Sequence, residues 1–236
     1  VLCERFNVKG PSLESVLKSE HKYWSRLEQK KVIPEHIPDF VKFDPFDNNP
    51  LAQIPFNFPF WIKPIKSTAS QLGFRINNQR DFKRAIEIIR ERIGLFKPFD
   101  QLLDMVELPP EVEDVNSSHC VAEKIISALQ CTLEGYVFNG KVQTYGIIDC
   151  IREPNRTTFA RYQYPSRLPK KVQDEMSRIS EKVMKQIGFD NSAFNLEFFW
   201  NRKIDKVWFL EVNTRIPQSH SDLFQKVDGV SNHEIL

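Results

Sequence analysis

Glu197, Glu211, Asn213 and Arg215 form the clearest chemical pattern in the chain. They lie in FNLEFFW…KVWFLEVNTR, from Phe194 to Arg215, where two apolar runs flank a polar turn at Asn201 to Lys206. That arrangement predicts a β-hairpin. Alternation in its second strand puts Glu211, Asn213 and Arg215 on one face. A turn centred near Ile204 sets Glu197 opposite Glu211. Two facing carboxylates repel, and partial burial raises the cost. A shared proton or a divalent cation resolves the conflict. The Asn213 amide offers one more oxygen ligand, and the Arg215 guanidinium suits a phosphate. A surface-facing polar stripe on a half-buried hairpin would show the same alternation.

Further candidates stand upstream. Lys63 sits among apolar neighbours in the strand-like WIKPIK, so its ammonium needs a partner. The loop Ser67-Thr68-Ala69-Ser70-Gln71-Leu72-Gly73 follows, and its hydroxyls and backbone N–H groups could converge on an anion. It lacks the GxxxxGK[ST] pattern of a P-loop, and a plain inter-strand turn would use similar residues. Glu123-Lys124-Ile125-Ile126 alternates polar and apolar residues, as an edge that hydrogen-bonds a purine would. Most such edges are structural.

The positioning elements follow from periodicity and punctuation. Ser12 caps a helix, SLESVLKSEHKYWSRLEQKK, that Pro34 stops. Strands are expected at PFWIKPIK, LGFRIN and VAEKII, with a helix from about Asp81 to Ile93. The acidic, proline-containing stretch Val106 to Val115 reads as a flexible loop. TLEGYVFNGKVQTYGIIDCI forms a hairpin turned at Asn139-Gly140, and a helix from about Pro169 to Ile187 ends at Gly188. Strands with segregated helices indicate an α+β fold with antiparallel sheets. Three segments result: 1–36, 37–122 and 123–236.

At 236 residues, with 41% apolar and 27% charged residues, the chain can bury a sizeable core. A net charge of +2 with interspersed signs gives no electrostatic case for nucleic acid or a membrane surface as partner. The four cysteines, Cys3, Cys120, Cys131 and Cys150, lack metal-binding spacing and read as reduced thiols in a cytoplasmic protein. Opening on Val1 without a signal peptide and stopping at Leu236, the sequence reads as a piece of a longer protein.

Taken in order, these pieces resemble the ATP-grasp superfamily of carboxylate–amine and carboxylate–thiol ligases. The carriers are the helix lysine before VIPEHIP, the strand lysine with its small-residue loop, the EKII edge, the LEGYV hairpin, YPSRLP, and NLEFFW…LEVNTR. The resemblance runs from about Gly10 to Leu236. It implies two α/β lobes clasping ATP, with 1–36 ending an N-terminal lobe, 37–122 a lid and 123–236 a metal-binding part. It further implies that Lys22 and Lys63 contact phosphates and that Ser67, Thr68, Ser70 and Gly73 cover them. Glu123 and the backbone of Lys124 and Ile126 would read adenine, and Gln130 would stand at the ribose. Glu197, Glu211 and Asn213 would hold Mg²⁺, with Mn²⁺ an acceptable substitute, and Arg215 would bind the transferring phosphoryl group.

Three departures bear on this. The covering loop is poor in glycine, and Gln130 is uncharged where the family usually has glutamate or histidine. Biotin carboxylases carry a glutamate four residues after the motif arginine, and here that position is Ser219. Ser219-His220-Ser221 is more similar to the corresponding segment of amino-acid ligases, which places Ser219 and His220 at the substrate. The resemblance therefore implies an ADP-forming ligase that activates a carboxylate of an amino acid or related acid for attack by an amine or other nucleophile. A nucleotide-binding regulatory protein without turnover, or a biotin-carboxylase-like component, is the alternative. Partners would be small molecules, with homodimerisation open to the chain.

Overall fold

The computed structural model describes residues 2–68, 70–153 and 159–235, in two compact units. One comprises Glu20–Leu27 and Pro38–Ile126; the other comprises Val1–Ser19, Glu28–Ile37 and Ser127–Leu236. The architecture is α+β with antiparallel sheets, as expected.

The first unit holds strands β1 (Phe40–Phe43), β2 (Phe60–Pro64), β3 (Phe74–Ile76) and β4 (Cys120–Lys124), in the antiparallel order β1-β4-β2-β3. Its helix, Gln79–Arg92, starts where the Asn78 side chain accepts the Asp81 N–H at 2.9 Å. Phe82, Ala85, Ile86 and Ile89 recur at helical spacing and pack with Phe43, Ile62 and Ile76 in one core.

Two expectations are corrected here. The long helix after Ser12 is two helices, Leu13–Glu20 and Lys22–Val32, broken at His21. The His21 Nδ1 accepts the Trp24 N–H at 3.0 Å, and Nε2 donates to the Val115 carbonyl at 2.9 Å. A side chain that caps a new helix cannot lie in the middle of an old one. The same bond anchors the acidic stretch read as a flexible loop. That stretch contains a short helix, Pro110–Glu113, and buries Val112 and Val115.

The second unit holds β5 (Leu129–Phe138), β6 (Lys141–Arg152), β7 (Phe159–Gln163), β8 (Ser192–Asn201) and β9 (Lys206–Asn213), in the antiparallel order β7-β6-β5-β8-β9. Asn139 and Gly140 turn β5 into β6 with φ of 49° and 73°, the left-handed pair that a two-residue hairpin demands. Helix Lys170–Ile187 ends at a left-handed Gly188 and lays Val172, Met176, Ile179 and Val183 on the sheet. Odd positions of β5 face that helix: Cys131 and Leu133 are buried, with the Cys131 Sγ 3.8 Å from the Met176 Sδ. The even positions Gln130, Thr132 and Glu134 therefore share the opposite face. The four cysteines are free. No helix among the described residues is long and apolar enough to cross a membrane.

Candidate functional site

The polar sheet face is assembled by strand pairing. Glu197 on β8 stands directly opposite Glu211 on β9, and Asn195 stands opposite Asn213. This register depends on an irregularity between Glu197 and Phe198. Nearer the turn, Phe198 pairs with Phe209, so an unbroken ladder would bring Leu210 opposite Glu197. Leu210 is the extra residue of a bulge, which reverses the parity of β9. Phe209 and Val212 are thereby both buried, while Glu211 and Asn213 stay with Glu197.

On β5, Gln130 donates to the Glu197 Oε2 at 2.9 Å and accepts from Arg152 of β6. Arg152 lies over the Phe159 ring, 4.5 Å from its centroid. Asn213 donates to the Glu197 Oε1 and to the Asn195 Oδ1, both at 3.3 Å. A cleft of about 530 Å³ opens over this face, lined by Gln130, Asn195, Glu197, Arg215, Ser219 and His220 among others. Cys150 also lines it, but burial pushes its thiol up to about 12, so it is no nucleophile at neutral pH.

Regular strand structure ends at Asn213, yet Arg215 still lines the cleft from an exposed position. The chain then turns through Gln218–His220 into helix Ser221–Asp228, which brings His220 to the same cleft instead of alternating away. Three consecutive residues are each fixed there. Ser219 hydrogen-bonds Tyr162, His220 Nδ1 pairs with the buried Glu134, and the Ser221 hydroxyl donates to Asn232 at 2.6 Å.

Among the described residues no group of three or more histidine, cysteine or carboxylate side chains could hold a metal. The available set is two carboxylates and an amide. All its donors are oxygens, which suits a hard cation such as Mg²⁺ that keeps several of its waters. The group fits.

The other candidates belong to the first unit. Glu123 is buried, takes the Arg26 Nε at 2.6 Å on Oε1 and the Lys63 Nζ at 3.0 Å on Oε2. Burial alone would raise its pKa, but the Arg26 and Lys63 charges overcome this and hold it at about 2. The partner required by Lys63 is thus Glu123. Lys124 donates its backbone N–H to the Asp39 carbonyl at 3.0 Å, and Ile126 lies half-buried beyond the end of β4. Lys22 is buried, its N–H bound to the Ile65 carbonyl at 2.8 Å. In the loop, Ser67 is buried while Thr68 and Ser70 are exposed, and Ala69 lies outside the described residues. A Cβ on Gly73 would come within 3.0 Å of the Trp61 ring, so close approach demands glycine there.

Asn195, Glu134, Arg152, Tyr162, Asn232 and Arg26 were not identified as site residues from sequence. Alternation could have found two of them, since Asn195 precedes Glu197 by two and Glu134 follows Gln130 and Thr132 on one face. The others come from distant segments and leave no local signal.

The family model of the ATP-grasp domain matches residues 56–221, more than half of the chain. The chain belongs to the ATP-grasp family. Among solved ATP-grasp structures it is similar to the L-amino acid ligase of Bacillus licheniformis, with a TM-score of 0.74 at 14% identity over 97% of this chain and 51% of that one. Biotin carboxylase of Campylobacter jejuni gives 0.71 at 17%, over 97% of this chain and 48% of the other. The biotin carboxylase domain of Hydrogenobacter thermophilus 2-oxoglutarate carboxylase, solved with MgADP and bicarbonate, gives 0.66 at 19%, over 93% and 45%. The chain therefore spans about half the length of these structures. Among curated proteins none matches the sequence.

Proposed function

We propose that this chain is the nucleotide- and metal-binding part of an ADP-forming ligase that activates a carboxylate, of an amino acid or related small acid, for attack by an amine or other nucleophile. The observation that carries the reading is the direct pairing of Glu197, which lines the cleft, with Glu211, beside the Asn213 amide that donates to Glu197. Glu197, Glu211 and Asn213 would hold Mg²⁺, or Mn²⁺. The ion would neutralise charge on the β- and γ-phosphates of ATP.

The residues of the chain would supply positioning and charge. Arg215, exposed at the rim, would hold the phosphoryl group as the substrate carboxylate attacks it. Lys63, oriented by Glu123, and Lys22 would pair with phosphate oxygens, and Ser67, Thr68, Ser70 and Gly73 would cover them. Segment 37–122 would act as the lid that excludes water from the acyl-phosphate, and segment 123–236 would be the metal-binding part. Glu123, Lys124 and Ile126 would read adenine. Gln130 would meet the ribose, and Ser219 and His220 the substrate.

The test is ADP release with ATP, Mg²⁺ and a panel of amino acids, added singly and in pairs, against bicarbonate with biotin. Ser219 is a poor base at neutral pH, so bicarbonate should give only background and some amino-acid combination should stimulate release. Turnover that needs bicarbonate and biotin would overturn the amino-acid assignment.

A further inference from the structure

Behind the turn that carries Ser219 and His220 to the cleft lies a fully buried amide, Asn232. It opens the short helix Asn232–Ile235, whose start is fixed by its neighbours. The Ser231 N–H and hydroxyl donate to the Glu234 Oε2 at 2.7 and 2.9 Å, as in a capping box. A buried amide needs partners, and Asn232 has three. Its Nδ2 donates to the Glu134 Oε2 at 3.2 Å and makes a longer contact of 3.5 Å to the Pro217 carbonyl. Its Oδ1 accepts the Ser221 hydroxyl at 2.6 Å. A carbonyl can only accept, so this orientation of the amide depends on no titrating group.

The three partners are placed tellingly. Pro217 and Ser221 bracket the turn Gln218–His220, which the His220 N–H closes on the Pro217 carbonyl at 3.2 Å. Glu134 belongs to β5, is fully buried, and also takes the Tyr145 hydroxyl at 3.1 Å. Asn232 therefore ties both ends of the turn to the sheet. The following helix, Ser221–Asp228, has a separate anchor. Phe224 is fully buried against the Tyr145 and Tyr164 rings, with centroids 5.3 and 4.6 Å away. It lies so close to Gly146 that a Cβ there would come within 2.4 Å of the ring. Apolar burial of Phe224 holds the helix down, and the directional bonds of Asn232 fix where the turn before it stands.

We infer that Asn232 is a positioning residue that sets Ser219 and His220 against the cleft and so governs capture of the substrate, separately from nucleotide and metal. The inference rests on the reading of Ser219 and His220 as substrate contacts. Asn232 acts from behind the turn, through Pro217, Ser221 and Glu134. Without its amide the turn keeps the Tyr162 bond to Ser219 on the cleft side and loses its ties at the rear. A turn free to sample other positions must be ordered anew by each substrate, which weakens binding. Glu197 and Glu211 are placed by the pairing of β8 with β9, in which Asn232 has no part. Loss of the amide therefore separates the two halves of the site.

The test is Asn232→Leu, which keeps the volume and removes the hydrogen bonds. In ADP-release assays the KM for the stimulating amino acid should rise roughly tenfold, the worth of about one hydrogen bond, while the KM for ATP stays within about twofold. An amide that only stabilises the fold would lower the melting temperature without that split. Equal changes in both KM values, or none, would overturn the inference. Should Asn232→Leu fail to fold, Ser221→Ala removes a single bond of the set and should show the same split to a smaller degree; no split there would overturn it equally. Hydrogen exchange needs no turnover. In Asn232→Leu the amides of Gln218, Ser219 and His220 should exchange roughly tenfold faster while those of β8 and β9 keep their rates. A uniform change, or none, would show that Asn232 does not hold the turn. If wild-type protein releases no ADP with any carboxylate, the ligase reading fails and the substrate role of Asn232 falls with it, an outcome that the exchange pattern separates from failure of the positioning itself.

Discussion

Acidification from pH 6.5 towards 4 should loosen the turn that leads into Lys22, because His21 must stay neutral there. Its Nδ1 lone pair receives the Trp24 N–H and its Nε2–H serves the Val115 carbonyl, so a second ring proton would have to displace the helix cap. Burial is the main cause that lowers its pKa from 6.5 to about 4, with His119 adding to it and the Val115 bond opposing. Between those two values the unfolded chain binds the proton and the folded chain does not. Stability therefore falls as pH falls through this window, and the loss is complete below about 4. At about 1.4 kcal/mol per pH unit, the interval from 6.5 to about 4 amounts to roughly 3 kcal/mol. Loss of a helix cap accounts for about 1 kcal/mol of that, and desolvation of the charged ring for the rest. Denaturant unfolding at pH 7 and pH 4 would measure the change. The same series on His21→Asn, which keeps a short capping side chain without titrating, should show a pH dependence smaller by that amount. Proton NMR of the folded protein should place the His21 titration near 4. A midpoint near 6.5, or identical pH dependence in the two proteins, would refute the reasoning.

Three further outcomes are expected. Glu211→Ala should abolish Mg²⁺-dependent ADP release while leaving metal-free stability unchanged or a few tenths of a kcal/mol higher, since it removes one of two facing like charges; full activity in that variant would sink the metal assignment. ATP with Mg²⁺ should raise the melting temperature, and Lys63→Met should shrink the shift by losing a charge-assisted contact of ~1.5–3 kcal/mol; equal protection by GTP would reject the adenine-reading edge. Gly140→Ala should lower stability by about 1 kcal/mol purely through its φ of 73°, because an added Cβ meets nothing within 4 Å; an unchanged unfolding midpoint would refute this.

Much of the scaffold was legible because its rules are local. The Asn139-Gly140 hairpin and the Lys170–Ile187 helix with its terminal Gly188 follow from turn chemistry and short-range periodicity. So does the Ser12 cap, which accepts the Ser15 N–H at 3.1 Å. The broken helix at His21 was not legible, since the cap that breaks it is held by Val115, ninety-four residues away. Val106 to Val115 misled for the same reason: acidic and proline-rich locally, it is fixed by burial of Val112 and Val115.

At the site, residue types alone identified the Glu197, Glu211, Asn213 and Arg215 set, because two carboxylates in an apolar hairpin demand an explanation wherever they fall. Their direct opposition was settled by tertiary structure. It takes the bulge at Leu210 to bury Phe209 and Val212 together and still turn Glu211 towards Glu197. The sequence likewise contained Ser219-His220-Ser221, and the resemblance put Ser219 and His220 at the substrate, but strand alternation by itself would set these two neighbours on opposite sides. Only the turn at Gln218–His220 brings His220 back, and the partner of its Nδ1 is the buried Glu134, eighty-six residues distant. Side-chain chemistry and period belong to the sequence. Parity across a bulge and the partners of buried polar atoms exist once distant strands pair, because a one-residue change of register moves every side chain to the other face.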